Sequence, residues 1–331
     1  MSDTELWRPV HIARLETAGN LFLAPVAGYT DRAFRSLCVD EGASLSCTEL
    51  VSAEALIRQS PKTWPLLARA DNERHYAIQL FGSQPEQLYR AALLLSPWKP
   101  SVLDLNCGCP VPKVIKTGSG SALMREPAKL AQIVEAMVRA SREALGDIPV
   151  TVKIRLGWDS GSINYREVAR CAVEAGAALV ALHARTRAQG YSGTADHSYT
   201  ADLVSRLGVP VVASGDVFSP ESARDILRDT GCAAVMFARG AMGNPFIFRE
   251  TRDFLQTGSY QSVPHAVRLE KGLHQLELLS ADIGEDAACR EMRKHFCAYT
   301  KGMNGGAALR NELVHALAIE EYRRIVGAAL S

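Results

Sequence analysis

The residues of this chain best placed to do chemistry lie in DLNCGCP at 104–110, where a short apolar strand runs into a thiol held between Gly108 and Pro110. Asn106 offers a two-sided amide at the strand end, and the Gly108, Cys109, Pro110 corner fixes the backbone so that one thiol is directed into a pocket. Cys109 is therefore the candidate reacting group. Cys107 sits on the opposite side of an extended segment and is expected to pack. A metal reading of the CxC pair lacks further paired ligands, because Cys38, Cys47, Cys171, Cys232, Cys289 and Cys297 are scattered. No metal is expected.

The elements that must position this thiol recur regularly. Short apolar or β-branched runs fall at Leu21–Pro25, Ala43–Glu49, Tyr76–Phe81, Val102–Asn106, Val150–Arg155, Leu179–His183, Val209–Ser214 and Ala233–Phe237. Amphipathic segments separate most of them, such as Pro127–Ala144 and Tyr165–Ala175, the second stopped by Gly176. Strands alternating with helices imply parallel pairing through right-handed crossovers, and eight such units predict an α/β fold, a (β/α)8 TIM barrel. A doubly wound sheet is the alternative, but APVAGYTD at 24–31 carries no GxGxxG turn after the first strand.

On a barrel, Gln79, Asn106, Cys109, Lys153, His183 and Ser214 all fall at or just past the carboxyl ends of strands, the face that carries barrel active sites. In VTVKIR the alternation turns Lys153 away from Val152 and Ile154 and toward the barrel mouth. ASGDV at 213–217 and FARGAMGNP at 237–245 place Gly215, Gly240 and backbone amides after the last two strands, where barrels cradle phosphate.

With 331 residues, 37 basic and 36 acidic, the chain has no global field that advertises nucleic acid, so any RNA surface must be a local patch. Asp3, Glu5, Arg8, Arg14 and Glu16 interrupt the first twenty residues, against a signal peptide, and no apolar run approaches membrane-spanning length. Unpatterned cysteines point to a reducing compartment, and a cytoplasmic monomer is expected. After about residue 250 the pattern turns all-helical, over Val267–Ile283, Ala287–Lys301 and Asn311–Val326. Two domains are expected, a barrel over 1–250 and a small helical bundle over 251–331.

LAPVAGYTDRAFR at 23–35, IQLFGS at 78–83, DLNCGCP, VKIRLGW at 152–158, HARTRAQGYSG at 183–193 and the ASGD and ARGAMGNP loops together resemble the tRNA-dihydrouridine synthases, and the tail REMRKHFCAYTKG is most similar to their bacterial B branch. The resemblance implies FMN held by the Pro25, Val26, Ala27 turn, by Gln79 and Lys153 at the isoalloxazine, with His183 as a neighbour. It places the phosphate on the amides of Ser214, Gly215, Asp216, Ala238 and Arg239, and implies NADPH or NADH as reductant. Val26, Ala184, Ser214 and Ala238 depart from the Met, Gly, Asn and Gly usual in the family.

Such an enzyme reduces the uracil C5=C6 bond of a tRNA uridine, with a hydride to C6 and a proton from Cys109 to C5. U17 of the D-loop is the weakly preferred target over U16 or U20. A stacked uridine must first be extruded into the barrel mouth. The loop 111–121, with Lys113, Lys116 and a GSGS turn, is a candidate lid, and Arg155, Arg185 and Arg187 add positive charge to the rim. Asn106 is placed to hold uracil or flavin. In the bundle, Arg290, Arg293, Lys294 and Lys301 fall near one helical face with His295 and Tyr299 beside them, a surface for tRNA. Two other functions fit parts of the pattern: a free-pyrimidine oxidoreductase resembling dihydroorotate dehydrogenase, and a non-catalytic tRNA-binding protein.

Overall fold

The computed structural model of the protein describes residues 6–330; Asp3 and Glu5, which entered the reading of the N-terminal stretch, lie outside the described residues. Eight parallel strands form the centre: β1 Leu21–Leu23, β2 Ser46–Cys47, β3 Tyr76–Phe81, β4 Val102–Cys107, β5 Val150–Arg155, β6 Val180–His183, β7 Val211–Ser214 and β8 Ala234–Phe237. Each pairs with the next from β2 to β8, and β8 returns to β1 with Val235 opposite Leu21. A parallel bridge between Phe22 and Leu45 joins β1 to the start of β2, so the expected barrel closes.

Alternation along the strands sorts the residues. Leu103, Leu105, Cys107, Val152 and Ile154 face outward into one cluster shared with the surrounding helices. Asp104, Asn106, Thr151 and Lys153 face inward. An antiparallel hairpin, Val10–Ile12 with Leu15–Thr17, brings Val10 and Ile12 against Phe22, Ala77, Val102, Ala181 and Ala234, filling the amino end of the barrel with apolar side chains. The polar inward residues are thereby confined to the carboxyl end.

The helices around the barrel are α1 Arg32–Asp40, α2 Ala53–Ile57, α3 Pro85–Leu93, α4 Pro112–Ile115, α5 Pro127–Ala144, α6 Tyr165–Glu174, α7 Ser198–Val204, α8 Pro220–Thr230 and α9 Ile247–Thr257. Gly176, at φ +104°, turns the chain out of α6 in a conformation other residues rarely adopt. Ile247, Phe248 and Leu255 of α9 pack against Leu21, Leu23 and Phe237 of the barrel. The boundary expected at 250 therefore falls inside a barrel helix, and the chain leaves the barrel at Gly258, φ +79°.

Four helices follow: α10 His265–Ile283, α11 Glu285–Tyr299, α12 Gly306–Leu313 and α13 Ile319–Leu330. The single helix expected over Asn311–Val326 is two. Leu309 and Leu313 before the break and Tyr322, Ile325 and Val326 after it all reach one core, so the apolar spacing hides the turn, which the Glu321 carboxylate caps by accepting the Leu317 amide at 2.8 Å. The bundle sits on α1: Ala33 enters its core, Arg32 pairs with Asp282, and Glu41 is held by Lys271 at 2.8 Å and by Arg249 of α9 at 3.2 Å.

Candidate active site

The inward side chains near the carboxyl ends of β3, β4 and β5 form a continuous hydrogen-bonded layer. Gln79 donates from Nε2 to Asp104 Oδ2 at 2.6 Å and accepts from Asn106 Nδ2 at 2.8 Å, while Thr151 donates to Asp104 Oδ1 at 2.5 Å. Burial pushes Asp104 up to about 6 against these bonds. Above this layer Lys153 turns its ammonium into the cavity, and burial, then the charge of Arg155, brings it down to about 8.

Asn106 acts on the thiol loop. Its Oδ1 accepts the Cys109 amide at 2.9 Å and the Gly108 amide at 3.3 Å, so the side-chain amide folds the backbone of 106–109 into a tight turn. Ser121 returns from beyond α4 to donate both its amide, at 3.1 Å, and its hydroxyl, at 2.9 Å, to the Cys109 carbonyl. Gly120, at φ +62°, permits that approach, since a Cβ there would come within 2.9 Å of the same carbonyl oxygen. The GSGS turn thus packs against the Cys109 backbone instead of hanging free. Cys109 is 9 % exposed and lines the cavity, and burial pushes its thiol pKa up.

Arg155 ties the loops of the rim together. Its Nε donates to the Gly108 carbonyl at 2.8 Å and its Nη1 to the Thr186 and Gly190 carbonyls, both at 2.9 Å. Arg185 is buried at 1 % and gives its guanidinium to Asp216, at 2.9 and 2.6 Å, and to the carbonyls of Ser192 and Gly193. Asp216 also accepts the Ala195 amide at 2.8 Å and pairs with Arg239 at 3.1 Å.

The ends of β7 and β8 form the other wall. Gly215, φ +110°, leaves no room for a side chain, because a Cβ would come within 2.9 Å of the His183 ring; at Gly240 one would meet the Val217 carbonyl at 2.3 Å. His183 is buried, and its Nε2 has no hydrogen-bond partner. Burial, then the charges of Lys153, Arg155, Arg185 and Arg239, push His183 far down, so its ring is neutral. The cavity, of about 300 Å³, is positive at this end.

Of the residues singled out in the sequence, Pro25, Val26, Ala27, Asn106, Cys109, Lys153, Arg155, His183, Ser214, Gly215, Asp216, Ala238 and Arg239 all line this one cavity. Gln79 stands behind Asn106, and Arg185 behind Asp216. Lys113, in α4, and Lys116 are exposed in the segment after Cys109 and do not line it. The bundle cations are divided. Arg290 is exposed; Lys294 pairs with Glu291 and lies 5.7 Å from the Tyr29 ring centroid of the barrel; Arg293 is half-buried with its Nε unpartnered. His295 and Tyr299, expected beside them, point into the bundle core and share Gln275 as hydrogen-bond partner, at 3.1 and 2.9 Å.

Tyr191 and Phe218 also line the mouth, 59 % and 49 % exposed, with the Arg239 guanidinium 4.7 and 5.0 Å from their ring centroids. Sequence reasoning passed over both. The signal was present in two aromatics placed in rim loops, where no core needs them. Asp104 was passed over as well, because a lone acidic residue inside an apolar strand declares its partners only when neighbouring strands are aligned.

A closed (β/α)8 barrel with a thiol, an ammonium and a positive cradle facing one cavity at its carboxyl end defines a barrel enzyme. The sequence profile of the family described as "Dihydrouridine synthase (Dus)" matches residues 22–329, and the chain belongs to that family. It is 47% identical over 331 residues to a probable tRNA-dihydrouridine synthase of Treponema pallidum (strain Nichols), covering 98% of this chain and 97% of the relative. It is 39% identical over 285 residues to tRNA-dihydrouridine synthase B of Xanthomonas campestris pv. campestris, covering 86% of this chain and 84% of that one. Among solved structures, histamine dehydrogenase from Rhizobium sp. 4-9 shares the fold with a TM-score of 0.61 at 15% identity, over 82% of this chain and 51% of that one.

Proposed function

We propose that the protein is a tRNA-dihydrouridine synthase that reduces the uracil C5=C6 bond of a D-loop uridine, U17 ahead of U16 or U20, with FMN as cofactor and NADPH or NADH as reductant. The observation that carries the reading is that Cys109 and Lys153 face one cavity whose far wall is a positive cradle opened by Gly215, in a chain of this family. The relatives named for tRNA span nearly the whole of the chain.

The residues present fit FMN. The orphaned Nε2 of His183, the small residues at Gly215 and Gly240, and the ring of cations that depresses His183 suit an anionic, phosphate-bearing ligand with polar ring edges. The amides of Ser214, Gly215, Asp216, Ala238 and Arg239 would take the phosphate, the turn Pro25, Val26, Ala27 would cover one ring face, and Lys153 would meet the polar ring edge. Bound FMN, once reduced, supplies the hydride that goes to C6.

The chain supplies the proton. Cys109 Sγ–H delivers it to C5 as the C6–H bond forms, and the thiolate left behind regains a proton from water. A raised pKa keeps the thiol protonated at neutral pH, which a general acid requires. Asn106 and Ser121 hold the Cys109 backbone from both sides, and the layer of Gln79, Asp104 and Thr151 holds Asn106. Lys153 places positive charge where negative charge collects during the reaction.

The test is to incubate the FMN-loaded protein with NADPH and unmodified tRNA and map dihydrouridine by position. Product at one D-loop uridine is the expected result. Reduction of free uridine or its monophosphate with none in tRNA would overturn the assignment in favour of a small-pyrimidine reductase.

A further inference from the structure

The rim between β5 and β6 carries a feature that the reaction does not use. Trp158, just past β5, lies under two guanidinium groups, with Arg187 Cζ 4.5 Å and Arg125 Cζ 5.0 Å from its ring centroid. The loops are stitched together here: the Arg187 amide donates to the Gly157 carbonyl at 2.9 Å and the Ala188 amide to the Trp158 carbonyl at 2.8 Å. Arg125 is exposed, and Arg187 is half-buried with its Nε buried and unpartnered.

The nearby carboxylates are committed elsewhere. Glu126 lies 3.6 Å from Lys129, and Asp159 accepts the Ser162 hydroxyl at 2.7 Å and the Gly161 amide at 3.1 Å. By contrast Arg166 and Arg170 on α6, and Arg206 just past α7, are paired with Asp202 or Glu174. An indole ring holds two cations in place without neutralising them, and a guanidinium stacked on a ring keeps its N–H edge free.

Their position is tied to the cavity through Arg155. The sulfur of Met124, next to Arg125, accepts the Arg155 amide at 3.4 Å; the carbonyl of Thr186, next to Arg187, accepts Arg155 Nη1 at 2.9 Å. The two free cations therefore flank the two segments that anchor Arg155, itself on the cavity wall, and share a single indole ring.

We propose that the Arg125–Trp158–Arg187 stack grips the phosphodiester backbone of the RNA strand beside the nucleotide turned into the cavity. The inference rests on the tRNA reading above and deepens it by naming where the strand is held. Extruding a base requires the flanking backbone to be fixed, and planar guanidinium edges meet phosphate oxygens in pairs, independent of sequence.

The test compares Arg125→Gln, Arg187→Gln and the double variant, all FMN-loaded, with the wild-type protein on unmodified tRNA. For the double variant the tRNA Kd is expected to rise on the order of tenfold, and the slope of log Kd against log salt to fall by about 0.7–0.9 per charge removed. Arg125→Gln alters only an exposed side chain and should lose about one such step, which Arg125→Lys restores. The flavin spectrum and flavin reduction by NADPH without RNA should be unchanged. Wild-type affinity and slope in the variants, while the wild-type protein modifies tRNA, would overturn the role of the stack and leave the substrate reading intact. A raised KM for NADPH with unchanged RNA binding would assign these cations to the reductant's phosphates instead. Failure of the wild-type protein to bind tRNA would remove the substrate reading and this inference together.

Discussion

Cys109 shows how burial and function pull in one direction. A nucleophilic cysteine needs a depressed pKa, and this thiol is pushed up by burial, which suits a proton donor. Cys109→Ala should keep FMN and its reduction by NADPH, and lower dihydrouridine formation on the order of 10²–10⁴-fold; single-turnover assays on tRNA read both steps. The thiol must be protonated and Lys153 charged, so the proton-transfer rate should be level through neutral pH, fall as pH rises through about 8, where Lys153 loses its proton, and fall further through the raised thiol pKa. Cys109→Ser, which does not titrate there, should lose the second fall and keep the first. Lys153 is a different case, since burial and the charge of Arg155 work against its ammonium and Asp104 is the nearby carboxylate that favours it. Lys153→Met should raise the FMN Kd on the order of 10–100-fold, measured by fluorescence titration.

Elements are joined here by buried polar groups at a few seams. Arg35 of α1 is buried with Glu73, Nε to Oε1 at 2.8 Å, and also donates to the carbonyls of Thr30 and Ala68. Glu73 takes the Ala70 amide at 2.7 Å and the Ser46 hydroxyl besides. Glu73→Ala should cost about 3–5 kcal/mol in denaturant unfolding, because Arg35 is left charged and buried. The seam between α1 and α11 responds to pH instead. Asp31, the N-cap of α1, accepts the Phe34 amide at 2.8 Å, and its Oδ2 lies 3.6 Å from His295 Nε2. Burial pushes Asp31 up to about 6 and His295 down to about 3. The raised acid stabilises most below its unfolded pKa of about 4 and loses that stability as pH rises through 6; the depressed histidine stabilises above about 6.5 and loses it as pH falls through 3. The two slopes oppose each other between about pH 4 and 6. Asp31→Asn should leave stability rising with pH across that window, and His295→Gln should leave it falling, as read from urea midpoints.

At the scale of the whole molecule, a near-neutral chain has to present RNA with local charge. The cations of the bundle share one side of α11 at i, i+3 and i+4, but they are unequally available: Arg290 is exposed, Lys294 spans the seam to Tyr29, and Arg293 is half-buried. Replacing Arg290, Arg293 and Lys294 together by Ala should weaken tRNA binding and flatten its salt dependence with the flavin spectrum unchanged. The change in slope should fall short of three full charges, because Lys294 is partly neutralised by Glu291. An unaltered slope would mean that the bundle cations are a solvated surface.

Much of this arrangement is carried by local pattern. Period-two alternation in β4 and β5 separates Leu105, Cys107, Val152 and Ile154 from Asn106 and Lys153, while recurring short apolar runs mark the eight strands and so the rim that carries the site. The helix starts and stops around the barrel are likewise local signals. Pattern alone misplaces the domain boundary and fuses α12 with α13, because the apolar spacing stays continuous where the chain turns. Whether a charged side chain meets ligand, backbone or another charge depends on strands and loops distant in sequence. Arg155 and Arg185 look alike as rim cations, yet one clamps the carbonyls of Gly108, Thr186 and Gly190 at the cavity wall and the other is spent on Asp216. Asp104 and Gln79 become partners only through the register of β3 with β4, and the Trp158 stack only where three separated segments meet. Local periodicity decides which face a residue occupies, whereas its partners are decided by register and loop packing between segments far apart in the chain.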